Sequence, residues 1–155
     1  MVEVSNTARR VRKKILDSFV DTGRAPNLGE IMVGLGLTRP EAVEAFREIA
    51  TIDTFSAEKG TENIRILSPF ANVSTPYKVT IDGIQKWHAV CGIEALGVWV
   101  FFPGKVVQVD TYCRDCGEVM LLKLRDGQVI EQSPDRIVAH LGVPVARWFD
   151  DLIYA

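Results

Sequence analysis

A chain of 155 residues, 47% of them hydrophobic, is long enough for one ordinary domain or for two very small lobes sharing a core. Its 18 Lys+Arg against 20 Asp+Glu leave a net charge of -2, which excludes a general electrostatic draw toward nucleic acid or an anionic membrane. No apolar run nears the roughly 20 residues of a membrane span, no apolar signal core follows the basic N-terminus, and three cysteines suit no disulfide framework, so the reading is a cytoplasmic protein with free thiols.

In chain order, Val11, Ile15, Ser18 and Phe19 recur at helical spacing between Thr7 and Val20, among Arg9, Arg10, Arg12, Lys13 and Lys14, and Gly23 closes this amphipathic helix. "NLGEIMVGLG" fits a short second helix opened by Asn27. In "LTRPEAVEAFREIA", Thr38 and Glu41 form a capping box, Pro40 suits the first turn, and Val43, Phe46, Ile49 and Ala50 make the expected buried stripe. "TFSAEKGTENIRILSPF" reads as two strands around a Lys-Gly turn. Three helices and a hairpin are the winged-helix order. The third helix, however, carries Arg39 and Arg47 against Glu41, Glu44 and Glu48, a poor face for phosphates, which argues against DNA as a partner.

After the connection "SPFANVSTPY", "YKVTIDGIQKWHAV" reads as a hairpin turned at Asp82-Gly83, followed by a helix holding "CGIEALG". "KVVQVDTY" alternates as a strand does, and "EVMLLKLRDGQVIEQSP" is a second hairpin turned at Asp126-Gly127. "PVARWFDDLIYA" has helical or buried character.

The chemistry-bearing residues are few. On a helix, Cys91 and Glu94 share a face, because residues three apart are neighbours. The helix N-terminus and a charged His88 would both favour the Cys91 thiolate, while packing is the ordinary fate of a lone buried cysteine. Cys113 and Cys116 in "YCRDCGE" have the spacing of half a zinc knuckle, with a redox pair and a plain turn as the other readings. Trp87, Trp99 and Trp148 are expected in the core, and His140 as an ordinary partly buried histidine.

The order of a small helical lobe, "SPFANVSTPYKV", "GIQKWHAVCGIEALGVWVFFPGKVVQV" and a Cys/Gly turn resembles the organomercurial (alkylmercury) lyases. Their core motif places an aspartate three residues after a cysteine. The resemblance runs from about Thr7 to Gly117 and is sharpest from Ser68 to Gly104. It implies an α+β fold: a winged-helix-like three-helix lobe over residues 1–68, which does not read DNA, and a mixed or antiparallel β-sheet core over 69–155 with one cysteine-bearing helix. It also implies binding of a soft metal or organomercurial and, where a second thiolate is supplied, protonolysis of the carbon–mercury bond.

By motif, Cys91 takes the place of the first mercury ligand, Glu94 that of the aspartate that handles the proton, and Cys113 that of a third, usually structural, cysteine. The family's second catalytic cysteine, which follows a segment like "VPVARWFDDLIYA", has no counterpart in this sequence, and Cys116 is a candidate substitute. On this reading the metal-binding residues are Cys91, Cys113 and Cys116. No resident cofactor is required; mercury is substrate and product, and zinc is the ion that Cys113 and Cys116 would hold. The alternatives from other classes are a metal-sensing transcriptional regulator and a zinc-stabilised interaction domain.

Overall fold

The computed structural model describes residues 3–139 and Arg147; His140, Trp148 and, Arg147 apart, the other positions of "PVARWFDDLIYA" lie outside the described residues. The chain divides into two compact units between Val73 and Ser74.

In the first unit, helix α1 (Asn6–Thr22) buries Ala8, Val11, Ile15 and Phe19, a stripe with a spacing of three to four residues. It begins at a cap that apolar periodicity does not mark. Ser5 Oγ accepts the Ala8 N–H at 3.1 Å, while the Glu48 carboxylate accepts the Ser5 N–H at 2.6 Å and its hydroxyl at 2.8 Å. Helix α2 (Leu28–Leu35) opens at Asn27 with a full capping box to Glu30.

Helix α3 (Arg39–Ile49) buries Ala42, Ala45, Phe46 and Ile49, and this corrects the expected stripe: Val43 is half-buried and Ala50 exposed. Small alanines on the inner face let α1 and α3 approach closely, so the bulkier valine sits at the margin. Both α3 arginines are held by carboxylates, Arg39 by Glu62 and Arg47 by Glu44.

Strands β1 (Phe55–Ala57), β2 (Ile64–Leu67) and β3 (Phe70–Ala71) form antiparallel ladders in that order. Phe70 stacks on Phe19 with centroids 5.0 Å apart, worth about 1 kcal/mol beyond burial, and so ties β3 to the helices of the first unit.

In the second unit, β4 (Tyr77–Ile81), β5 (Ile84–Ala89), β6 (Val107–Tyr112), β7 (Val119–Arg125) and β8 (Gln128–Ser133) pair antiparallel in the order β5-β4-β6-β7-β8. Helix α4 (Gly92–Gly97) and a 3-10 turn (Val98–Phe101) lie between β5 and β6. Both expected hairpins form where expected. Asp82 and Gly83 (φ 46° and 82°), like Asp126 and Gly127 (φ 49° and 78°), take the two consecutive left-handed conformations that suit Asp-Gly turns.

Val79, Trp87, Ala89, Val107, Val109 and Leu124 are buried on the sheet, as are Ala95 and Val98 on the crossing segment. Trp87 is core as expected and stacks on Phe102, whereas Trp99 is only half-buried. The architecture is α+β with antiparallel pairing, and no described helix is long and apolar enough to cross a membrane.

Candidate active site

The chain leading to Cys91 is clamped before it turns. Thr75, a buried polar residue, donates its hydroxyl to the Ala89 carbonyl at 2.6 Å and accepts the Tyr77 N–H at 3.1 Å. Its backbone also engages His88: Nδ1 lies 3.2 Å from the Thr75 N–H and 2.8 Å from the Thr75 carbonyl. The His88 ring atom that faces a partner is therefore turned to the Thr75 backbone. Ala89 and Val90 are buried, so packing fixes the last two residues before the cysteine, and Ala89 is held by the Thr75 hydrogen bond as well.

Cys91 is the N-cap of α4 rather than a residue of its first turn, with extended backbone angles (φ -145°, ψ 175°). Its carbonyl accepts the Ala95 N–H at 2.9 Å, the first bond of the helix. Glu94 is the third helical residue, and N-cap and third residue are the two positions that a capping box brings face to face. The pairing expected from helical spacing thus survives, through cap geometry. The Glu94 carboxylate is the near neighbour of the thiol: it repels a thiolate and accepts the hydrogen bond of the S–H group. Glu94 is half-buried and its Oε2 is screened from solvent.

The electrostatics of Cys91 reverse the expected thiolate. Burial is the largest effect and pushes the thiol pKa up, and the Glu94 charge and hydrogen bond push the same way. The amides of Glu94 and Ile93 pull it down, but less than burial raises it. Dehydration of a charged sulfur outweighs a six-residue helix terminus.

Tyr77 completes the immediate surroundings. A Cβ on Gly92 would stand 3.3 Å from Tyr77 Cε1, so the ring lies against the start of α4, and a side chain there would push the ring by a few tenths of an ångström. Burial raises the Tyr77 pKa, charge on Cys91 raises it further, and Arg114 opposes both. Sequence reasoning missed Thr75, Tyr77 and Arg114. The first two lie within "STPYKV" and Arg114 between Cys113 and Cys116, yet nothing in their spacing shows that the turn before β4 reaches back to the end of β5.

Cys113 and Cys116 lie in the tight connection from β6 to β7. The Cys113 N–H donates to the Glu118 carbonyl at 2.8 Å and the Gly117 N–H to the Cys113 carbonyl at 2.9 Å, with Gly117 at φ 77°. The N–H groups of Cys116 and Asp115, together with the Cys116 thiol, are directed at the Cys113 sulfur and hold its pKa below the usual thiol range. All three cysteines are free. Among the described residues no three His, Cys, Asp or Glu side chains gather into a metal-binding group, so the cysteines are distributed over two places, one facing Glu94 and two facing each other.

A family model described as alkylmercury lyase matches residues 70–153. Among solved structures, the crystal structure of the mercury-bound form of MerB2 superposes with a TM-score of 0.69 at 15% sequence identity, over 86% of this chain and 63% of that one. The chain thus spans under two thirds of that protein's length, and the likeness is one of fold. No curated protein matches the chain.

Proposed function

Because the chain belongs to the alkylmercury lyase family, we propose that it captures an organomercurial through Cys91 and protonates its carbon from Glu94. The observation that carries this reading is the pairing of one thiol with one carboxylate at the head of α4, Cys91 at the N-cap and Glu94 three residues on. Mercury is a soft ion whose affinity for sulfur exceeds its affinity for oxygen or nitrogen donors. A thiol held protonated by burial reacts once its proton has somewhere to go.

In the first step the Cys91 sulfur bonds the mercury of R-Hg⁺ and its proton passes to the Glu94 carboxylate. In the second, the carboxylic acid returns that proton to the carbon as the carbon–mercury bond breaks. The bonding pair leaves with the hydrocarbon R-H, Hg²⁺ stays on sulfur, and Glu94 is again a carboxylate. A proton donor must lie within hydrogen-bond reach of the atom it protonates. Glutamate, one methylene longer than the family's aspartate, meets that need from the third position of the helix. The second sulfur that mercury takes is a thiolate other than Cys91, and in the test below an excess of small thiol supplies it. The α3 arginines, already paired with carboxylates, leave DNA binding by that helix without support.

The test is incubation with a simple arylmercurial and excess small thiol, following hydrocarbon release. Release is expected from the parent chain and lost in Cys91→Ser. Glu94→Gln is expected to keep the mercurial and slow release by about a hundredfold or more. Equal release from the parent and Cys91→Ser overturns the assignment.

A further inference from the structure

We infer that Cys113 and Cys116 form a second, separate thiolate site that chelates a soft two-coordinate cation such as mercuric ion. The reading goes beyond chemistry at Cys91, because it does not require Cys91 or Glu94 to act.

Three features of the turn carry it. The two cysteines sit at i and i+3 in a connection pinned at both ends by backbone hydrogen bonds, Cys113 N–H to Glu118 and Gly117 N–H to Cys113, so their backbones are held before any ion arrives. The two thiols are neighbours in that turn, and neither is tied up in a disulfide. Cys116 is exposed and Cys113 half-exposed, so a ligand already carried by another thiol can reach them by exchange.

The number of donors selects the ion. A structural zinc site takes four ligands, and among the described residues no third His, Cys, Asp or Glu joins this pair. Two thiolates alone suit a soft ion that is content with two sulfurs. Binding is written as two S–H groups and Hg²⁺ giving S–Hg–S, with two protons released to solvent. Once one sulfur is bonded, the second closes the ring at high effective concentration, which is the advantage a preformed dithiol has over any monothiol in solution. The same pair with an added oxidant would close to a disulfide, and so it must be tested reduced.

The experiment uses the full-length reduced chain carrying Cys91→Ser, which removes the other sulfur site. It is loaded with mercuric chloride and desalted in excess small monothiol, and retained mercury is read by intact mass under non-denaturing conditions. One mercury per chain is expected in Cys91→Ser. It should be lost when Cys116→Ser, or separately Cys113→Ser, is added, while the circular dichroism of each apo-protein stays that of the parent. Loss of all mercury from Cys91→Ser overturns the inference, as does retention unchanged by both added serines. Neither outcome bears on hydrocarbon release by the parent, so this site and the one at Cys91 stand or fall separately.

Discussion

Cys91 and Cys113 are the same side chain in opposite surroundings. Cys91 follows the buried Ala89 and Val90, faces a carboxylate, and has its thiol pKa raised. Cys113 stands in an open turn, faces amide N–H groups and a second thiol, and has its pKa lowered. Both lie near N–H groups, so amides alone do not decide the outcome. Dehydration and the sign of the nearest charge do. The comparison teaches that, in this protein, the thiol readier to ionise is not the one placed beside a carboxylate at a helix cap but the one in the exposed turn.

The largest expected effect is the order of alkylation. The thiolate is the nucleophile, so at neutral pH iodoacetamide should label Cys113 well before Cys91, as read by peptide mass after short exposures. Faster labelling of Cys91 would break the comparison outright. The same shifts set the pH dependence of stability. The folded-state pKa of Cys91 lies above its unfolded value, so its contribution is complete below the ordinary thiol pKa and is lost as pH rises through the folded value. Cys113, with its pKa depressed, contributes above the ordinary value and loses that contribution as pH falls through the folded one.

Next in size is Glu94→Gln, which removes the negative charge facing Cys91. The pH profile of Cys91 alkylation should move to lower pH while that of Cys113 stays put. An unmoved Cys91 profile would mean that burial alone sets the thiol.

Thr75→Val tests the clamp. It deprives the Ala89 carbonyl and the Tyr77 N–H of the hydroxyl that serves both, which should lower unfolding free energy by about 2 kcal/mol in denaturant titration. It should also speed Cys91 alkylation without changing Cys113, and acceleration of both would show that the clamp is not local.

The smallest effect on thiol reactivity is expected from Gly127→Ala. A residue with a side chain at φ 78° is strained by about 1–2 kcal/mol, and its Cβ would meet the Trp99 ring at 2.9 Å. Thermal unfolding should show the loss. Since Trp99 belongs to the 3-10 turn after α4, any change in thiol reactivity should appear at Cys91.

Much of the fold was legible because local rules govern it. The Thr38–Glu41 box, the glycine that ends α1 and the two Asp-Gly turns need only neighbours in sequence, and they formed as read. The α3 stripe was read one residue off at Val43 and Ala50, because which side of a helix is buried depends on the partner helix and on how closely its backbone approaches. The helix α1 was read to within a residue of its start, but its Ser5 cap was not, since that cap is steadied by Glu48, 43 residues away.

At the candidate site, the sequence by itself determined the spacing of the thiols and the carboxylate. Cys91 with Glu94 and Cys113 with Cys116 are each three apart, and a helix cap or a tight turn turns that spacing into contact whatever the rest of the chain does. Only the tertiary structure decided that the Cys91 pKa moves up, whereas that of Cys113 is lowered within its own turn. Burial at the end of β5, the Thr75 clamp and the Tyr77 ring against Gly92 all come from segments brought together by strand pairing, and solvent exclusion is a property of that assembly rather than of any local motif.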